Sequence, residues 1–152
     1  MPEIKAEELN DQIGKSQPPS QWSSLEQSRI NLFAEATDDY QFIHMDEEKA
    51  KETPFGGTIA HGFLSLSMLT HLAEGGAGIV VANAKMGVNY GFDKIRFLMP
   101  VRAGKRVRGH FKLVEVTEKK PGQFLLKSEV TVEIEGESKP AIMAEWLTMY
   151  MV

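Results

Sequence analysis

No cysteine occurs in the 152-residue chain, which removes disulfide scaffolds, thiolate nucleophiles and thiolate-ligated zinc together. A long hydrophobic run is missing too. The one stretch free of formal charge, Thr53 to Ala73, is interrupted by Pro54, Gly56, Gly57, His61, Gly62, His71 and several hydroxyls, and does not read as a membrane span. Nor is there an excess of positive charge: 17 Lys and Arg against 21 Asp and Glu leave a net charge of −4. That balance argues against general affinity for nucleic acid or anionic membranes. The acidic start, Met1 to Glu8, lacks the basic-then-apolar pattern of a signal peptide, so a cytoplasmic protein is expected. Phosphate-cradling loops of the G-x-G-x-x-G or P-loop kind and the H-E-x-x-H zinc pattern are absent.

What is present fits one domain over residues 1–152, with 42% apolar residues to build a core without metal or cross-links. Residues 1–21 read as a polar arm, ending near Ser16-Gln17-Pro18-Pro19-Ser20, which cannot be helical through its prolines. Ser24 and Gln27 form a capping-box pattern ahead of Leu25, Ile30, Phe33 and Ala34 at helical spacing. This helix closes at Asp38-Asp39-Tyr40, where acids oppose the helix dipole and call for another reason to be there. Asp46 is placed to cap a short helix through Lys51. From Thr58 to Ala73, large apolar residues point in nearly all directions around a helix, which predicts a helix buried all round and ended by Gly75-Gly76.

After Gly78 the chain reads as strands. Val130, Val132 and Ile134 alternate with Thr131, Glu133 and Glu135, while Ile142 to Val152 is apolar on both parities, as a central strand is. One buried helix followed by consecutive long strands predicts an α+β arrangement, an antiparallel sheet curled around the helix.

The nearest acid–imidazole pair is Asp39 and His44. Five residues apart, the two meet only if the chain turns between them. A carboxylate and an imidazole sharing a water supply one group to take a proton and one to give it; the alternative is a solvated helix-end acid beside an ordinary loop histidine. Gly56-Gly57-Thr58-Ile59-Ala60-His61-Gly62 leads into the central helix, where an unpaired N–H can hold an oxyanion, or where Gly62 simply allows close packing. His61 and His71 lack the spacing of helical metal ligands, so no metal site is expected, and His71 is expected to be a hydrogen-bonded core residue. Along Arg106-Val107-Arg108-Gly109-His110-Phe111-Lys112 the cations share one strand face, either a solvated surface or a dock for ligand phosphates.

Asp39-Tyr40-Gln41-Phe42-Ile43-His44 and Phe55-Gly56-Gly57-Thr58-Ile59-Ala60-His61-Gly62-Phe63 together resemble the hydratase signature of the MaoC-like dehydratases, in particular the R-specific enoyl-CoA hydratase and nodulation protein N subgroup. The likeness runs from about Trp22 onward and takes in Asn89 to Phe97 and Pro100-Val101. The resemblance implies a single hot-dog fold, a homodimer, and cofactor-free, reversible addition of water to a trans-2-enoyl-CoA, which is hydro-lyase chemistry on an acyl-CoA thioester. It marks Asp39, His44 and Gly62 as catalytic, with Asp39 the favoured base and His44 the proton donor. It also implies substrate contacts at Gln41, His61, Phe63, Leu66, Asn89, Tyr90 and Arg96, with Met68 a further wall residue. Asp38, Gln41 and Phe42 depart from the Gly, Asn and Pro of the commoner signature. The competing readings are a hot-dog acyl-CoA thioesterase and a non-catalytic acyl-CoA-binding protein.

Overall fold

The computed structural model describes residues 3–152. Four long strands follow one another with short turns: β4 (Met86–Phe97), β5 (Arg106–Lys120), β6 (Gln123–Ile134) and β7 (Ile142–Met151). With the two-residue β2 (Ser23–Ser24) they form one antiparallel sheet in the order β2-β5-β6-β7-β4. The strand alternation holds. Val130, Val132 and Ile134 are buried, while Thr131 and Glu133 face outward and are half-buried. β7 lies between β6 and β4, as its two-sided apolarity predicts. Register shifts between Asn89 and Gly91, Phe92 and Lys94, and Leu113 and Glu115 add local twist, which helps curl the sheet.

The central helix lies on the concave face as α4 (Gly62–Ser67) and α5 (Leu69–Leu72), continuing into a wider π-turn at Ala73–Ala77. Leu64, Leu69 and Leu72 pack into the core with Phe111, Val130, Ile142 and Trp146. The expectation of burial all round is not met within one chain: Phe63, Ser67, Thr70 and His71 are exposed. The sheet covers one side of the helix, and among the described residues the other side meets only scattered side chains such as Ser23 and Arg29. His71 is likewise at the surface, hydrogen-bonded to the Ser23 hydroxyl at 3.0 Å.

The first helix, α1 (Gln27–Thr37), starts later than the capping-box pattern implies, with Glu26 at the cap and no side-chain cap bond. Gln27 is used elsewhere, as described below. After it come α2 (Phe42–Met45) and α3 (Glu47–Ala50); Asp46 Oδ1 accepts the Lys49 N–H at 3.1 Å, the predicted cap. The described part of the expected arm packs down on the body. A 3₁₀ helix, Ala6–Gln12, buries Ala6 and Leu9 against Val81, Leu113 and Leu126, and β1 (Glu3–Ile4) pairs in parallel with β3 (Val80–Val81). Among the described residues no helix is long and apolar enough to cross a membrane.

Candidate active site

The turn that Asp39 and His44 require is made by Asp38. It caps α1 with φ 59°, a left-handed conformation that Asp tolerates better than most residues because its short side chain bonds locally. Its departure from glycine in the commoner signature therefore falls where glycine is the natural choice. From there the chain reverses: the Gln41 N–H donates to Asp39 Oδ1 at 3.3 Å, and α2 carries His44 back toward Asp39. The Asp39 carboxylate, the His44 imidazole and the His61 imidazole each place a polar atom within 4.8 Å of the others.

His44 is 6% exposed. Its Nδ1–H donates to the Ile59 carbonyl at 2.7 Å, which fixes the neutral ring with its lone pair on Nε2. Burial pushes the His44 pKa below its ordinary value. The Ile59 carbonyl works against that shift, nearby His61 adds to it, and the Asp39 charge opposes it weakly. His61, 2% exposed, stacks on His44 with centroids 3.9 Å apart and planes at 24°. The His61 Nε2–H donates to the Asp39 main-chain carbonyl at 3.0 Å, and Phe33 packs on His61 at 4.8 Å. A metal ion lies near the plane of each imidazole that binds it; two stacked planes do not converge on one ion. The arrangement suits proton exchange better than chelation.

Gly62 opens α4, and its N–H has no partner among the described residues. A Cβ there would lie 2.9 Å from Phe97 Cδ1, so a side chain at 62 would force that half-exposed ring to shift. Beside these groups is a cavity of about 320 Å³ lined by His44, Gly62, Phe55, Ser65, Phe97 and Ile142. Farther along the helix, Leu66, Ser67, Thr70, Asn89, Phe92 and Trp146 line a smaller one of about 190 Å³. The largest, about 550 Å³, lies at the far end against Ala73, Ala77, Ser128 and Tyr150, and touches none of the polar groups above. Geometry therefore favours the cavity beside His44 as the place for chemistry, despite its smaller size.

A network of hydrogen bonds lies behind His44. The Gln27 side-chain amide donates to the His44 carbonyl at 2.7 Å and to Asn31 Oδ1 at 2.9 Å. Thr58 Oγ1 is 2.7 Å from Gln27 Oε1 and 2.8 Å from Glu47 Oε2, and the Thr58 N–H donates to the same carboxylate oxygen at 2.9 Å. Those donors from Thr58 hold the Glu47 carboxyl below its usual range, with Arg102 assisting at 3.7 Å. Gly57 runs so close to this group that a Cβ would sit 2.2 Å from Arg102 Nη2.

The other expected contacts are only partly gathered. Leu66 and Asn89 line the middle cavity, although the Asn89 side-chain Oδ1 accepts the Trp146 indole N–H at 3.2 Å. Gln41 is exposed, and its side chain makes no hydrogen bond among the described residues. Phe63 is 65% exposed and meets Phe97 edge-on at 5.8 Å, outside the cavities. Met68 is half-buried beneath the Arg29 guanidinium, with its sulfur 3.6 Å from Nη1. Tyr90 and Arg96 are exposed on β4 and line none of these cavities, and His61 is enclosed by protein groups. Spacing gave no sign of Phe55, Ser65 or Ile142 in the lining; Phe55 and Phe97 stood inside the signature stretches without a role.

The cations from Arg106 to Lys112 are also already engaged. Arg106 pairs with Glu135, Arg108 with Glu133 at 2.6 Å, His110 with the same Glu133 at 2.6 Å, and Lys112 with Glu129 at 3.3 Å. Trp22 stacks under Arg108 at 4.4 Å. The one-face parity is as expected, but the acids facing it across the strands neutralise it and weaken the case for a phosphate dock.

Residues 8–136 match the MaoC like domain family. The chain is 45% identical over 150 residues to nodulation protein N of Rhizobium leguminosarum bv. viciae, covering 98% of this chain and 92% of that protein. It is 42% identical over 138 residues to 3-hydroxyacyl-thioester dehydratase Z of Mycobacterium tuberculosis, covering 91% and 90%. Among solved structures, the (R)-hydratase from A. caviae involved in PHA biosynthesis superposes with a TM-score of 0.72 at 20% identity, over 90% of this chain and 94% of that one. A monoamine oxidase regulatory protein from Archaeoglobus fulgius superposes at 0.78 and 22% identity, over 99% and 96%. These likenesses identify the curled sheet and its helix as a hot-dog fold. With a family match across most of its length and relatives above 40% identity over nine-tenths of it, the chain belongs to the MaoC-like dehydratase family.

Proposed function

We propose that this protein is an R-specific hydratase of trans-2-enoyl-CoA thioesters, with Asp39, His44 and Gly62 as its catalytic groups. The family relationship supports a hydro-lyase. The observation that carries the finer reading is that the polar atoms of exposed Asp39 and buried His44 lie within 4.8 Å, with His44 and Gly62 lining one cavity.

Hydration needs a base for water, an acid for C2 and a donor for the charge that grows on the thioester oxygen. Because His44 Nδ1–H is committed to Ile59, Nε2 is the free basic site. In this mechanism His44 takes a proton from water as the oxygen bonds to C3, so the base is His44 and not the Asp39 expected from sequence, while His44 keeps its expected role as proton donor. The electron pair of the double bond moves into an enolate whose oxygen accepts the Gly62 N–H. The His44 imidazolium, its charge balanced by Asp39, then returns the proton to C2 and the catalyst is restored. The acyl chain runs along the helix toward Leu66 and the middle cavity.

Incubation with crotonyl-CoA tests this reading. The expected product is R-3-hydroxybutyryl-CoA, with a loss of about 10²–10⁴ in rate for His44→Asn, which removes the proposed base, while folding is kept. Release of free CoA thiol would mean a thioesterase, and binding without turnover a non-catalytic carrier; either outcome overturns the proposal.

A homodimer belongs to the same reading. β4 stands at the sheet edge with Met86, Val88, Tyr90 and Phe97 exposed, next to exposed Phe63 on the helix. A long apolar edge of this kind invites pairing with a second copy. Light scattering that gives the mass of one chain at micromolar concentration would refute it.

A further inference from the structure

Two of the points that hold His44 in place, its main-chain carbonyl and its ring Nδ1–H, lead back to Thr58 and its neighbour Ile59. The His44 main-chain carbonyl is held by Gln27 Nε2 at 2.7 Å, and the Gln27 Oε1 in turn faces Thr58 Oγ1 at 2.7 Å. The His44 ring is held by the carbonyl of Ile59, the residue after Thr58, at 2.7 Å. Thr58 itself is clamped on three sides. Its N–H and hydroxyl both meet Glu47 Oε2, and its carbonyl accepts the Ala103 N–H at 3.0 Å. It is 1% exposed and lines none of the cavities beside the helix, so it has no direct part in the reaction.

We infer that the Thr58 hydroxyl is a positioning group for His44, acting through Gln27 and Ile59, and that Glu47 from α3 holds Thr58 in that role. The inference rests on the hydratase reading for its effect on rate, but its geometry stands apart from it. A hydroxyl has one proton, here shared between the Gln27 and Glu47 acceptors. The Gln27 orientation is fixed because both of its amide bonds end on acceptors, the His44 carbonyl and Asn31 Oδ1. Without the Thr58 hydroxyl, Gln27 Oε1 loses its donor and the amide is held at its nitrogen end alone, so the anchor on the His44 carbonyl is loosened. The strand-like segment carrying Ile59 loses its side-chain tie to α1 at the same time. His44 then samples orientations in which Nε2 no longer faces the water it must deprotonate, and misplacement of a catalytic group lowers turnover more than binding.

The test compares Thr58→Val, which removes the hydroxyl at nearly constant shape, with Thr58→Ser, which keeps it. Thr58→Val is expected to lower kcat on crotonyl-CoA by about tenfold to a hundredfold with KM little changed. Its low-field His44 Nδ1–H resonance should shift or broaden. Thr58→Ser should restore both. Equal loss in the two variants, or wild-type kcat and an unshifted resonance in Thr58→Val, overturns the inference. If Thr58→Val fails to fold, Gln27→Leu, which removes the same link between Thr58 and the His44 carbonyl, carries the same expectation, and normal kcat with an unchanged resonance there overturns it. A wild-type protein inert toward crotonyl-CoA sinks the hydratase reading instead, and the resonance still decides the positioning question.

Discussion

The imidazoles of His44 and His61 lie face to face at 3.9 Å, yet each ring is tied by its N–H to a different stretch of main chain, His44 to Ile59 and His61 to Asp39. The stack thus joins the loop that carries the acid to the loop that leads into the central helix. It also sets a limit on charge: a proton on one ring opposes a proton on the other.

Replacing His61 with Phe keeps a flat ring against His44 and removes the tether to the Asp39 carbonyl. Turnover is expected to fall by about tenfold or more through loss of orientation. The His44 pKa should rise, since the neighbouring His61 lowers it. An NMR titration of His44 in the two proteins checks the direction; a downward move refutes this account of the stack.

The pH dependence follows from burial of His44. The folded pKa is below the ordinary 6.5, so the basic form persists to lower pH than for a free histidine. A rate limb due to this base should therefore lie below 6.5 and rise with pH. The stability effect has the same direction. Between the folded and unfolded values the unfolded chain binds more protons, so this group weakens the fold as pH drops below 6.5 and has no effect well above it. Paired denaturation curves of wild type and His44→Asn across that window measure it, and a wild type that loses no more stability than the variant refutes it.

Gly62→Ala would press a methyl group against Phe97 at 2.9 Å. Overpacking of this kind costs about 1–3 kcal/mol. The double variant Gly62→Ala with Phe97→Leu should recover part of that loss, because a smaller neighbour gives way. Additive losses in urea unfolding would show that the two positions do not conflict.

Leu9, fully buried beneath the N-terminal 3₁₀ helix, anchors the described part of the arm to the sheet. Leu9→Ala should cost about 2–5 kcal/mol in unfolding free energy. It should leave kcat nearly unchanged, since Leu9 packs with Val81, Leu113 and Leu126 and lines none of the cavities along the helix. A loss below half a kilocalorie per mole would mean that the arm is only loosely attached.

Much of the architecture was legible because it follows from periodicity. The alternation from Val130 to Ile134 and the two-sided apolarity of β7 each report a local environment, and local environment is what a strand pattern encodes. The helix from Gly62 was legible as a helix but not in its burial, since apolar residues all round its circumference do not say which of them the sheet covers, and Phe63 stays exposed. Within the site, Asp39 and His44 were visible as a pair needing a turn, and the left-handed Asp38 supplies it. Gln27, Glu47 and Thr58 were not visible. They come from α1, α3 and a loop, and no one-dimensional spacing marks three polar residues that meet only after folding. The basic run left a solvated face and a phosphate dock undecided for the same reason, because Glu133 and Glu129, which pair with it, lie on the next strand.

Asp38 gives the reacting loop a particular kind of economy. As the one non-glycine residue described in the left-handed region, it holds a bend that most side chains resist, and the direction in which Asp39 leaves the helix is set there. A β-branched residue at 38 would unwind that bend and re-aim its neighbour without touching a single reacting atom, whereas glycine would hold the same path with less tension.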